Sequence, residues 1–121
     1  YLAIVMRHYP RFVPRDLVDA YLPQLAPAPD LFREFKDLER STGAHDAAFA
    51  QVKYESRFTL QPEGESALSD LSERAREQDV YLLCQCALNQ KCHTDLLLIL
   101  AAHRWRAPTP MLRLRYPDFV V

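Results

Sequence analysis

The chain has 121 residues, of which 49% are hydrophobic and 26% are charged. This composition predicts one globular domain over residues 1–121 and excludes a mostly disordered chain. With 15 basic and 16 acidic side chains the formal net charge is −1, so no overall positive charge points to nucleic acid as a partner.

The apolar runs and the cysteines indicate the cellular location of the protein. The longest uninterrupted apolar run, Leu96 to Ala102, is far shorter than the ~20 residues of a membrane-spanning helix. The first residues contain no basic segment ahead of a long apolar one, so no signal peptide is predicted. The three cysteines are clustered, whereas a secreted disulfide framework spreads them along the chain. We therefore expect a cytoplasmic protein with reduced thiols and no membrane partner.

The first half of the chain predicts one strand followed by helices. Residues 1–6 are continuously apolar, which is typical of a short strand covered on both faces. Pro10 and Pro14 then place a loop, because proline interrupts regular structure. Caps, prolines and apolar stripes predict four helices, over about 16–22, 30–40, 44–58 and 63–77.

The second half predicts two more strands around a helix. Residues 80–84 again form a short apolar strand, 85–91 a loop, and 92–103 an apolar helix. Residues 111–116 alternate between apolar and basic side chains, which favours a half-buried edge strand. The whole order predicts an α/β fold with a small, mostly parallel sheet and helices packed on it. Only two glycines are present, so a glycine-rich phosphate-binding loop is excluded.

This fold has a consequence for function. If the strands at 1–6 and 80–84 are parallel neighbours, their carboxyl ends lie at the same edge of the sheet. The loop at 7–11 and the loop at 84–93 then face each other, and open α/β sheets bind ligands at that edge. We expect a small anionic or nucleotide-derived ligand there, because Arg7, His8 and Arg11 supply positive charge.

The loop at 84–93 carries the chemistry in our first hypothesis. Cys92 lies at the predicted start of a helix, where unpaired N–H groups and the helix dipole lower the pKa of a thiol. Lys91 and His93 flank it and act in the same direction. The predicted site is therefore a reactive thiol, Cys84 or Cys92, with His93 as acid or base and Arg7 binding an anionic group of the substrate.

Two other interpretations of these cysteines remain. Cys84, Cys86, Cys92 and His93 together form a Cys₃His donor set for zinc. Zinc sites usually separate paired ligands by two to four residues, whereas this chain has a Cys-x-Cys pair and an adjacent Cys-His pair. That spacing favours thiol chemistry and keeps zinc as the alternative cofactor. The third interpretation is that the cysteines are core residues, since free cysteine is usually buried.

Other side chains give weaker indications. A helix-end triplet, 104–106, combines two arginines with a tryptophan, and Arg113 and Arg115 follow on one face of the last predicted strand. Such a surface can bind nucleic acid, where an aromatic ring stacks on a base, so an accessory role with nucleic acid remains open. His45 and His103 lie on predicted helices and are expected to be solvated, and residues 54–57 are expected to be an exposed polar face.

The chain also resembles a known family. The residues that carry the resemblance are the strand at 80–84, the Cys92-His93 pair with a leucine-rich helix after it, the segment at 4–10, the Leu-Ala-Pro segment at 25–31, and the aromatic residues Phe49 and Tyr54. Over residues 2–103 these are similar to the family named domain of unknown function 488. The resemblance implies an α/β fold with strand-end residues gathered at one site, and it adds Tyr54 as a candidate binding residue. It implies no reaction.

One position departs from the family pattern. Family members often have arginine directly after the Cys-His pair, and this chain has Thr94. If that arginine binds an anion in relatives, Arg7, Arg11 or Lys91 must replace it here. The additional Cys86 strengthens a metal or redox interpretation for this chain.

Overall fold

A computed structural model of the chain describes all of residues 1–121. Its centre is a three-stranded parallel sheet in which β1 (Leu2–Ile4) lies between β2 (Ala20–Tyr21) and β3 (Tyr81–Leu83). Ala3 pairs with Ala20 on one side and with Leu82 on the other. The α/β prediction is therefore confirmed, and β1 and β3 are parallel neighbours as expected.

Strand β2 was not predicted, and the helix expected over 16–22 is wrong. Residues 15–17 form only one 3₁₀ turn, and the chain then runs parallel to β1. The Asp19 side chain accepts the Leu2 N–H at 2.7 Å, and the backbones of the same two residues are bonded at 2.8 Å. These long-range bonds to β1, rather than local helix propensity, determine the conformation of residues 19–21.

Five α-helices cover the sheet: α1 (Pro29–Thr42), α2 (His45–Gln51), α3 (Tyr54–Arg57), α4 (Pro62–Arg74) and α5 (His93–Trp105). Helices α1 and α4 each begin with proline at the first turn, where its missing N–H costs nothing. Gly43 ends α1 in the left-handed region at φ 67°, which glycine adopts without strain. No helix is long and apolar enough to cross a membrane.

The single helix predicted over 44–58 is two helices. Lys53 adopts φ 57°, which interrupts the helical hydrogen bonds and redirects the chain. This break turns the ring of Tyr54 against that of Phe49, with centroids 4.2 Å apart and planes 13° from parallel. The break therefore buries the start of α3, and Tyr54 and Glu55 are only 4% and 8% exposed. The expected exposed polar face at 54–57 is wrong for these two residues.

The strand predicted over 111–116 is also absent. Residues 106–121 follow α5 without regular secondary structure and return across the protein. Within this segment, Tyr116 packs into the core cluster and is 8% exposed. No strand of the sheet pairs with residues 111–116. The alternation of apolar and basic residues therefore comes from an irregular strap, residues 106–121, that turns one side toward the protein.

Candidate functional site

The two loops predicted to face each other do so, around one cavity. It measures about 400 Å³ and lies where β1 and β3 end. Its lining comes from the loop after β1, the loop after β3, the start of α2 and α3, and one face of α1. The predicted site residues among the lining are Arg7, His8, Arg11, Tyr54, Cys84, Cys86 and His93. Cys92 and Lys91 lie outside the lining, and the Lys91 ammonium is 5.7 Å from the Tyr116 ring centre.

The three cysteine sulfurs form one cluster at the cavity wall. Each lies within 4.8 Å of the others, and the Sγ atoms of Cys84 and Cys92 are 3.1 Å apart. All three thiols are free. Cys84 is half-buried and reaches the cavity, whereas Cys92 is buried at 5% exposure. Cys84 and Cys86 therefore line the cavity, and the Cys92 sulfur supports that of Cys84 from outside the lining.

The hydrogen bonds within this cluster decide which thiol ionises. Donation by the Cys86 and Cys92 thiols lowers the pKa of Cys84 far below the ordinary thiol value. The same bonds to Cys84 raise the pKa of Cys86 and of Cys92, with burial adding to both. These directions favour Cys84 over Cys92 as the thiolate, contrary to the lowered pKa expected for Cys92.

The helix start does not favour a Cys92 thiolate because its positive end is already compensated. Cys92 is the N-cap of α5, and its backbone N–H donates to the Tyr116 hydroxyl at 3.1 Å. That hydroxyl donates in turn to the Asp95 carboxylate in the first turn of α5, at 2.6 Å. A carboxylate at this position stabilises the helix dipole, so the Cys92 sulfur gains little from it.

We expect Tyr116→Phe to lower the unfolding free energy by about 1–3 kcal/mol, because it leaves the buried Cys92 N–H without its acceptor. Urea denaturation measures this change. Tyr9→Phe is the matched control, since the Tyr9 hydroxyl makes one exposed 3.3 Å bond to the Pro14 carbonyl. Equal stability of the two variants would show that the Tyr116 hydroxyl does not support the start of α5.

His93 is oriented by the strand beside it. Its Nε2 lies 2.8 Å from the Val5 carbonyl oxygen, which can only accept, so Nε2 carries the proton. The other ring nitrogen, Nδ1, is 3.7 Å from Cys92 Sγ. Burial lowers the pKa of His93, so the ring is neutral and Nδ1 offers a lone pair to the thiol cluster.

The pKa of His93 predicts a pH dependence of stability. Since the folded pKa lies below the ordinary value, the unfolded chain binds the proton first as the pH falls through about 6.5. We expect the unfolding free energy to be highest above this pH and to decrease below it. In His93→Gln, urea denaturation from pH 8 to 5 is expected to show a smaller decrease. His103→Gln, at an exposed position on the same helix, is expected to behave as the parent chain, and an unchanged decrease in His93→Gln would contradict the assignment.

His45 was expected to be solvated, and this prediction is wrong. Its side chain is 9% exposed, and its Nδ1 is 3.0 Å from the Asp46 carboxylate. Phe35 and Glu39 of α1 cover the ring, and His45 lines the cavity. Burial disfavours the charge of Asp46, but bonds from the Lys91 backbone N–H and from His45 hold its pKa below the ordinary value. Asp46 thus ties His45 to the cysteine loop.

Two buried side-chain nitrogens in the chain have no hydrogen-bond partner, and both belong to residues of this cavity. They are Nε of Arg7 and Nε2 of His45. The Arg7 side chain is held by a 2.5 Å bond to the Pro27 carbonyl. Buried polar atoms without a partner are rare, so their presence together marks this wall as incomplete without a polar ligand.

The predicted zinc ligands are only partly brought together. The three sulfurs form a mutually close group, but His93 does not join it. Of the arginines considered for nucleic acid, Arg104 forms an ion pair with Glu65, whereas Arg113 and Arg115 are exposed. Nucleic-acid binding stays a prediction.

The fold and the site together define a small parallel α/β domain with a thiol cluster at the carboxyl edge of its sheet. The family model of the active DUF488-N3 subclade matches residues 2–104, and the chain belongs to this family. The resemblance to domain of unknown function 488 is thereby confirmed. No curated protein and no solved structure matches the chain.

Proposed function

We propose that this protein is a thiol-dependent enzyme acting on a small anionic compound, with Cys84 as the nucleophile. The observation that carries the proposal is the position of the Cys84 sulfur, which lines the cavity and lies 3.1 Å from the Cys92 sulfur. A thiolate is the nucleophilic form of cysteine. The description of the matched subclade as active agrees with a catalytic role. Free thiols also fit a reducing compartment such as the cytoplasm.

The charges around the cavity support an anionic substrate. The lining contains three cationic side chains, those of Arg7, Arg11 and Lys36, and one carboxylate, that of Glu39. The unpartnered Nε–H of Arg7 adds a donor that lacks an acceptor. The Tyr54 ring is buried beside the cysteines. Its burial, together with a smaller effect of the nearby sulfurs, raises the pKa of Tyr54 well above the ordinary value. Its hydroxyl therefore stays protonated and can donate to a bound anion.

The substrate charge is tested by two alkylating reagents of equal size, iodoacetate and iodoacetamide. The ratio of their rates at Cys84, read by peptide mass spectrometry, is compared with the ratio for the urea-unfolded chain. We expect the folded protein to favour iodoacetate by about two- to fivefold, the effect of partly exposed charges a few ångströms away.

The variants Arg11→Gln and Lys36→Gln are expected to lower this preference, because both side chains line the cavity. Arg33→Gln is the control, since Arg33 is exposed on the same helix as Lys36 and outside the cavity. A ratio equal to that of the unfolded chain, or equal effects of all three variants, would contradict an anionic substrate.

A second candidate function is a metal-stabilised binding module. The specific observation for it is the group of three sulfurs within 4.8 Å of one another. Three thiolates are a suitable donor set for Zn²⁺, whose ligand sulfurs lie about 3.8 Å apart when tetrahedral with Zn–S bonds of about 2.3 Å. Exhaustive chelation is expected to lower the melting temperature if the metal holds the fold. An unchanged melting temperature would exclude this candidate.

A further inference from the structure

The cysteines of the cluster differ in access. Cys84 lines the cavity, whereas Cys92 is 5% exposed and lies outside this lining, with its sulfur 3.1 Å from that of Cys84. A small peroxide that enters this cavity meets Cys84 and Cys86 in its lining, but not Cys92. Redox-active cysteines often have this arrangement, an accessible thiol with a resolving thiol next to it.

We propose that Cys84 and Cys92 form a reversible disulfide when a hydroperoxide oxidises Cys84. The proposal rests on the proposed function in that it uses the same nucleophilic sulfur. It goes beyond it because it assigns a second reaction to the site, with a hydroperoxide as the oxidant and an external dithiol as the reductant.

The reaction has two steps. The Cys84 sulfur attacks one peroxide oxygen, the O–O bond breaks, and the products are a sulfenic acid at Cys84 and an alcohol or water. The Cys92 sulfur then attacks the sulfenic sulfur, the S–O bond breaks, and water leaves as the S–S bond forms. Two thiols lose two electrons and two protons in total, and the hydroperoxide takes up both.

His93 supplies the base for the second step. Its Nε2–H is committed to the Val5 carbonyl, so the unprotonated Nδ1 faces Cys92 Sγ at 3.7 Å. This nitrogen can accept the Cys92 proton as the sulfur attacks. No hydrogen bond of Nδ1 to another group competes for the lone pair.

Cys92 is better placed than Cys86 to resolve the sulfenic acid. The Cys92 backbone is held by the Tyr116 hydroxyl and by its N-cap position on α5. Cys86 lies in the loop after β3, and its sulfur makes no hydrogen bond as short as the 3.1 Å contact between the other two. A Cys84–Cys92 disulfide would join the end of β3 to the start of α5. It would also remove the nucleophile of the proposed function.

The test uses the wild-type chain after dialysis against a chelator, treated with equimolar hydrogen peroxide and then with N-ethylmaleimide. Trypsin cleaves after Lys91 and separates Cys92, in peptide 92–104, from Cys84 and Cys86, in peptide 77–91. We expect an intact mass lower by about 2 Da, one maleimide per chain, and a disulfide joining the two peptides that dithiothreitol releases.

Two variants assign the bond. Cys86→Ser is expected to form the same cross-linked peptide pair, whereas Cys92→Ser is expected to accumulate a sulfenic acid at Cys84 that dimedone traps. A disulfide confined to peptide 77–91, or loss of the cross-link in Cys86→Ser, would overturn the proposal, as would three maleimides on peroxide-treated wild type. Fast alkylation of Cys84 combined with any of these results would leave the proposed function standing. Slow alkylation of Cys84 in reduced protein would contradict the proposed function itself.

Discussion

Cys84→Ser is expected to lower the rate of alkylation by iodoacetamide at pH 7 at least about tenfold, because the thiolate is the reactive form and burial still disfavours ionisation of the two thiols that remain. In the parent chain the rate is expected to stay nearly constant from pH 6 to 8. In the variant the residual rate is expected to rise with pH. Rates are measured by mass spectrometry of quenched samples.

Cys86→Ser is the matched control for this prediction. It removes a neighbouring thiol of the same cluster while serine keeps a donor for the Cys84 sulfur. We expect Cys86→Ser to retain the fast reaction at Cys84. If Cys86→Ser and Cys84→Ser lose the fast reaction equally, or if Cys92 is the labelled residue in the parent chain, Cys84 is not the reactive thiol.

Phe49→Ala is expected to lower the unfolding free energy by about 3–5 kcal/mol, the usual cost of deleting a buried aromatic ring. Phe49 is 1% exposed and contacts the rings of Phe35, Tyr54 and Tyr116. It therefore joins α1, α2, α3 and the C-terminal strap. Urea denaturation followed by circular dichroism measures the loss.

Phe12→Ala provides the comparison, since Phe12 is 94% exposed and its deletion opens no internal cavity. We expect its effect to stay within about 0.5 kcal/mol. A loss below about 1 kcal/mol in Phe49→Ala would mean that the aromatic cluster does not hold α2 and α3 in place. The wall of the cavity formed by His45 and Tyr54 would then lack its support.

The parts of the fold that sequence reasoning predicted are those with strong local patterns. Two short apolar segments bounded by polar loops predict β1 and β3, and their parallel pairing brings Arg7 and Cys84 to one edge. Helix α1 carries both an apolar stripe and a terminal glycine. These signals depend on neighbouring residues alone, so they are visible without the tertiary structure.

The missed parts depend on long-range contacts. Strand β2 has two residues, too few to show a period, and its conformation is decided by bonds to β1. The break at Lys53 requires a positive φ, and a lysine in the sequence gives no indication of that conformation. The alternating segment at 111–116 matches a strand pattern, but the Tyr116 hydroxyl instead binds the start of α5.

The candidate site shows the same division. The sequence places the cysteines and His93 together because they follow one strand. It does not show which sulfur ionises, since that depends on the directions of the hydrogen bonds to Cys84. His45 was missed because its burial comes from Phe35 and Glu39 on another helix. The Asp residue directly after it was the one local signal available.

We propose that the cysteine cluster works as a thiol site rather than as a metal site. Elemental analysis of protein purified without a metal-affinity step, paired with a count of titratable thiols, tests this most directly. We predict substoichiometric metal, three titratable thiols per chain and one that reacts faster than the others. One zinc per chain with protected thiols would contradict the claim and identify Cys84, Cys86 and Cys92 as metal ligands.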